Sequence, residues 1–189
     1  MADDNLARVL SELGQVIGGI QADQLSAPTP CTEWDVRGVL NHVTGGSIMF
    51  AECVENGSIS DEEFGRLMST DLVGDQPSEV FGAAADRALA AFAQPGALER
   101  TVTLPFGTMP AGVAASIAVF DLTVHALDLA VATGQSTALD PDVLQAGWES
   151  AQAMLSTELR AAGMFAEAQP CSDDAPLADR LMAYAGRSI

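Results

Sequence analysis

The chain contains two histidines, and each stands among apolar residues. His125 lies in DLTVHALDLA, residues 121–130, with Asp121 four positions before it and Asp128 three positions after. His42 lies in VLNHVTGG, beside Val39, Leu40 and Val43. At 3.6 residues per turn, Asp121 and His125 are about 40° apart on one helix face and can converge on a single point. A carboxylate and an imidazole one turn apart form half of a metal site, and helical bundles commonly build such sites in their interior. His42, on the apolar face of another predicted helix, is the candidate third ligand. Two imidazoles and one carboxylate, with an open position, is the ligand set of catalytic zinc, and it also suits nickel or iron. The competing readings are hydrogen-bonded core histidines and, for Asp121 with His125, a helix ion pair worth about 0.2–0.5 kcal/mol if exposed.

Other residues nearby have two readings each. Asp128 either orients a ligand imidazole from behind or is a polar position near the helix end. Cys31 lies close to a predicted helix start, where thiols acidify, but reads better as a small packed hydrophobe than as a nucleophile. Trp34 reads better as a packing anchor than as a substrate platform. Of the arginines, Arg37, Arg66 and Arg87 fall near the middle helices, and none forms a recognisable anion clamp. No separate catalytic base is evident, because both histidines are assigned to the metal.

The elements that must position these groups are helices. Leu6, Val9, Leu10, Leu13, Val16, Ile17 and Ile20 repeat with helical period, predicting a helix over Asn5–Gln21 that weakens at Gly18 and Gly19. Prolines in LSAPTPCT then break the chain. Thr32, with Asp35 three residues on, is the expected N-cap of a second helix running to about Glu55. A short helix is expected over Asp61–Met68, and a third main helix over Glu79–Ala93, capped by Ser78. Thr101–Leu104 favours a short extended segment or small hairpin, with Gly107 turning the chain. Pro110 suits the first turn of a fourth main helix, Ala111–Ala132. Asp140 and Pro141 start a further helix, Pro141–Ala162, stopped by Gly163, and a last short one covers Pro176–Tyr184. The expectation is an all-α bundle, one domain over residues 1–189.

Composition agrees with that class. Of 189 residues, 48% are hydrophobic and 18% charged, and mean hydropathy is +0.20, the balance of a chain that buries a core. Aromatics are 5%, which favours close helix packing over a β-sandwich. Net charge is −18, which repels phosphate backbones and anionic membrane surfaces, so neither nucleic acid nor membrane is an expected partner. The acidic N-terminus is unlike a signal peptide. The longest uninterrupted apolar run, Ala111–Phe120, falls well short of the ~20 residues of a membrane span. Cys31, Cys53 and Cys171 are odd in number and widely spaced, which points to reduced thiols and a cytoplasmic protein.

Two motifs carry a family resemblance. PTPCTEWDVRGVLNHVTGG, with Thr29, Pro30, Cys31, Trp34, Leu40 and His42, resembles the entrance to the second helix of the DinB-like superfamily, in particular its mycothiol-dependent maleylpyruvate isomerase N-terminal branch. DLTVHALDLAVATG resembles the matching fourth-helix motif, and the tail DDAPLADRLMAYAGR resembles the actinobacterial members. The resemblance implies a DinB-like four-helix bundle, with the extended segment or hairpin between helices 3 and 4. It also implies a divalent metal, zinc or nickel, held by His42, Asp121 and His125. The isomerase often has Glu in place of Asp121, and many relatives have Trp in place of Leu127. The isomerase also carries a C-terminal α/β domain, which this chain is not expected to have. The expected function is a metal-dependent enzyme that uses a low-molecular-weight thiol, mycothiol or bacillithiol, for thiol transfer or isomerisation of a small molecule. The alternatives are a metal-dependent hydrolase and a non-enzymatic metal- or ligand-binding stress-response protein. Assembly as a homodimer is left open.

Overall fold

The computed structural model describes residues 2–155, 160 and 166–188. Helix α1, Ala2–Gly18, buries Leu6, Val9, Leu10, Leu13, Val16 and Ile17. It stops three residues before the expected Gln21, where Gly18 and Gly19 weaken helical propensity.

Helix α2, Val36–Asn56, starts later than expected. Its N-cap is Asp35, whose carboxylate accepts from the Gly38 N–H at 2.8 Å, and not Thr32. Residues 31–34 form a turn instead, closed by the Trp34 N–H donating to the Cys31 carbonyl. Thr29 ties that turn down by donating to the carbonyls of Cys31 and Trp34. Gly57 ends α2 at φ 85°, a left-handed conformation in which glycine carries no Cβ penalty.

Helix α3, Asp61–Ser69, is capped by Ser60. Helix α4, Pro77–Phe92, begins ahead of the expected Ser78 cap. Pro77 occupies its first turn, where the fixed φ is helical and the missing N–H costs nothing. Strands β1, Thr101–Leu104, and β2, Gly107–Pro110, make the expected hairpin, pairing antiparallel. Val102 and Leu104 face inward, and Gly107 turns the chain at φ 146°.

Helix α5, Ala111–Thr133, closes on Gly134 at φ 69°. It is apolar nearly all round, as a central helix must be. By length and composition α5 could cross a membrane, but 78% of that stretch is buried within the molecule. Helix α6, Pro141–Met154, is capped by Asp140 as expected. It ends at Met154, with Leu155 already out of helical geometry; the expected continuation to Ala162 and stop at Gly163 fall largely outside the described residues. Helix α7 is Leu177–Tyr184.

Helices α1, α2, α4 and α5 form a four-helix bundle, α2 lying against α4 and α5, and α1 against α5 and α4. Helix α6 packs on α5, α7 lies against α6 and α5, and the hairpin packs against α2 and α5. The core is continuous across these contacts, with Leu13, Leu40, Leu127 and Leu129 all fully buried.

Candidate metal centre

Direct packing of α2 on α5 brings the two histidine motifs together. The burial of Val39, Leu40 and Val43 fixes the rotation of α2 and leaves His42 at the edge of its buried face. On α5, Asp121 and His125 are one turn apart and point toward His42. The His42 Nε2–H donates to Asp121 Oδ1 at 3.2 Å, and His125 Nε2 lies 3.6 Å from the same oxygen. One ligand atom from each of the three residues falls within 4.8 Å of the other two. In a tetrahedral site with bonds of about 2.0–2.1 Å, neighbouring ligand atoms are about 3.4 Å apart, close to the 3.2 and 3.6 Å between Asp121 Oδ1 and the two histidine nitrogens.

Trp34 covers the set. Its ring stacks on His42 with centroids 4.5 Å apart and planes 29° from parallel, and it stands 5.7 Å from the His125 ring. Gly38 makes this possible: a Cβ there would come within 2.9 Å of the Trp34 Cβ. Trp34 is therefore both an anchor for the turn before α2 and a wall of the site.

Behind His125, Asp128 is completely buried. His125 Nδ1–H donates to Asp128 Oδ2 at 3.0 Å, which leaves Nε2 directed at Asp121. Asp128 also accepts from Arg187, at 3.2 Å from Nε and 2.9 Å from the terminal nitrogen. Asp128 is thus not an exposed polar position near the helix end; it is buried and held against His125.

Burial opposes charge on Asp121, but the imidazoles of His42 and His125 and the His42 hydrogen bond outweigh it and hold the carboxyl at about 2, below its ordinary 3.8. For His42, burial acts to lower the pKa, yet the charge and hydrogen bond of Asp121 prevail and raise it above 6.5. Asp128 is held low because hydrogen bonds from His125 and Arg187 overcome its burial. Burial pushes the Cys31 thiol up, against the pull of Arg187. The Cys31 sulfur gathers with His125 and Asp128 within 4.8 Å.

A cleft of about 490 Å³ opens over the set. Residues 30–34 line one side, His42, Asp121 and His125 the floor, and Ala166, Gly186 and Arg187 the other side. Sequence reasoning missed Arg187. The three arginines it considered hold surface pairs: Arg37 with Asp71, Arg66 with Glu63, and Arg87 with Glu52 and Glu55. The only sequence signal for Arg187 was a cation beyond the last helix of a chain poor in cations.

A four-helix bundle in which two adjacent helices bring His42, Asp121 and His125 together is the frame against which relatives can be compared. The chain belongs to the mycothiol maleylpyruvate isomerase N-terminal domain family, whose model matches residues 6–130. Two uncharacterized proteins of Mycobacterium tuberculosis, Rv0738 and MT0763, are each 34% identical to it, over 96% of this chain and 95% of theirs. The crystal structure of the mycothiol-dependent maleylpyruvate isomerase superposes with a TM-score of 0.68 at 14% identity, covering 86% of this chain and 72% of the isomerase. A histidine-to-alanine mutant of that enzyme superposes with a TM-score of 0.64. These two structures establish the shared fold.

Proposed function

We propose that the protein is a metal-dependent enzyme in which His42, Asp121 and His125 bind one divalent ion, zinc or nickel, and a low-molecular-weight thiol such as mycothiol serves as cosubstrate. The observation that carries this reading is that two imidazole nitrogens and a carboxylate oxygen meet on the floor of an open cleft. Among the described residues no fourth ligand atom joins that trio within 4.8 Å, so one side stays free for an exchangeable ligand. Zinc or nickel, rather than magnesium or calcium, matches imidazole ligands and a sulfur-bearing cosubstrate. Bound there, the ion would hold the thiol as its thiolate at neutral pH, the nucleophile for thiol transfer or thiol-assisted isomerisation of a small molecule.

The protein's own groups prepare that chemistry. Asp121 supplies one negative charge, which leaves the centre net positive toward an anionic sulfur. Asp128 fixes the tautomer of His125 so that Nε2 presents a lone pair. Trp34 shields the His42 ring from water on one face. The three cysteines Cys31, Cys53 and Cys171 are free thiols, which accords with a cytoplasmic location and gives no disulfide on which the fold depends.

Elemental analysis of the purified protein should find close to one zinc or nickel per chain. His42→Ala protein should lose it on dialysis; full retention would remove His42 from the site. Cobalt-substituted protein should develop a thiolate-to-cobalt charge-transfer band on addition of a small thiol. A fully metallated sample with no such band at millimolar thiol would exclude thiol chemistry at this centre.

A further inference from the structure

The end of the chain reaches the back of the ligand set. Arg187 lies just beyond α7, with its side chain 13% exposed against an Asp128 side chain at 0%. Its Nε and one terminal nitrogen donate to the two separate oxygens of Asp128. This fork-to-fork pairing admits one relative orientation of the two planes. The other terminal nitrogen donates to the Ala185 carbonyl at 2.9 Å, which ties the guanidinium to its own segment. Asp128 Oδ2 accepts from His125 Nδ1 as well. A single buried carboxylate is therefore shared between the C-terminal segment and a candidate ligand imidazole, 59 residues apart along the chain.

We propose that Arg187 is a positioning residue for the metal centre: by pinning both oxygens of Asp128 it fixes the ring of His125, and so links docking of the C-terminal segment to metal affinity. The inference rests on the metal reading above. A carboxylate held only by an imidazole can swing about its own side-chain bonds and take the ring with it, whereas one also clamped by a planar guanidinium cannot. Helix α7 provides the anchor for that clamp, because Leu181, Met182 and Ala183 are buried against the body of the protein. Gly186 and Arg187 also wall the cleft, so the segment that steadies the ligand bounds the space above it too. Linkage is reciprocal: whatever factor the docked segment adds to metal affinity, the metal adds to docking.

The test uses the full chain, stripped of metal, as wild type, Arg187→Gln, Asp128→Asn, the double variant, Arg187→Lys and the surface control Arg37→Gln. Zinc affinity is read by chelator competition, site geometry by the cobalt d–d spectrum, and docking by amide exchange across α7 with and without zinc. Arg187→Gln should weaken zinc about 10-fold, the scale of lost support for a ligand, and shift the cobalt spectrum. Asp128→Asn should do the same, and the double variant should be no worse than the poorer single. Arg187→Lys, with the charge but not the fork, should fall between, and Arg37→Gln should match wild type. Zinc should slow exchange in α7 of wild type. The inference is overturned if Arg187→Gln keeps wild-type zinc affinity and spectrum, or if the two single effects add. If Arg187→Gln fails to fold, Arg187→Lys and α7 exchange decide: exchange insensitive to zinc overturns it. Wild type that binds none of zinc, nickel and cobalt would remove the metal reading and this inference together, whereas normal wild-type binding with an indifferent Arg187→Gln removes the inference alone.

Discussion

His42 and Asp121 face each other as a hydrogen-bonded pair, His42 Nε2 lying 3.2 Å from Asp121 Oδ1. The raised pKa of His42 sets the direction of two pH dependences. In metal-free protein, His42 binds its proton more tightly folded than unfolded. It therefore adds stability that is fully present below the unfolded value of 6.5 and fades as pH rises through the higher folded value. Asp121 acts the opposite way, adding stability above 3.8 that is lost as pH falls toward about 2. Thermal unfolding of metal-free protein should therefore show its contribution from this pair between roughly pH 4 and 6.5. Metal binding must evict the His42 proton, so zinc affinity should rise steeply from pH 6 to pH 8 by isothermal titration, with protons released on binding. His42→Gln should abolish the stabilising term at pH 5.5 and the proton release together. A metal-free melting temperature that climbs between pH 6 and 8 would contradict the pairing.

Among the elements, α2 and α5 each place their site residues by a local device. Asp35 caps α2 and Gly38 makes room for Trp34. Asp35→Ala should cost about 1 kcal/mol of stability, the usual worth of a cap, in urea unfolding with unchanged m. Gly147 of α6 sits against Thr123 of α5, where a Cβ would lie 3.0 Å from the threonine methyl. Gly147→Leu should cost about 1–3 kcal/mol by overpacking, measured the same way. The helices of the bundle were legible because apolar periodicity survives in a single sequence; Leu6 to Ile17 marks α1 without any partner. The pairing of His42 with Asp121 and His125 was legible because His42 is the chain's other histidine and falls on an apolar helical face, and the motif resemblance pointed to the same three residues. The start of α2 was not, because Thr32 and Asp35 are both good caps and the choice depends on a turn over residues 31–34 that Thr29 ties down. Arg187 was invisible for a similar reason: a contact across 59 residues leaves no periodic trace.

Over the whole molecule, charge is lopsided. All eight basic residues are arginines, set against 26 acidic ones. Among the described residues, Arg37, Arg66, Arg87 and Arg187 hold the ion pairs given above, and Arg8 pairs with Asp140 and Asp142. The surplus of carboxylates repels itself across the surface, an effect that salt screens over a Debye length of about 10 Å at 0.1 M. Metal-free protein at pH 7.5 should accordingly melt at a higher temperature in 0.5 M sodium chloride than in 20 mM. A fall in melting temperature with salt would mean that the specific pairs outweigh the general repulsion.

Helix α5 has one more consequence, during synthesis rather than after it. It leaves the ribosome before α6 and α7, as a 23-residue stretch long and apolar enough to be sorted into a bilayer. Asp121 stands near its midpoint and Asp128 one to two turns further on, and an aspartate at the centre of a span costs about 2.5–3.5 kcal/mol of insertion free energy. The carboxylates at the centre of the candidate site thus also raise the cost of placing this stretch in a bilayer. Replacing both by leucine should send a measurable share of newly made protein to the membrane fraction, whereas His42→Ala, which disturbs the same site from α2, should leave the distribution as it was.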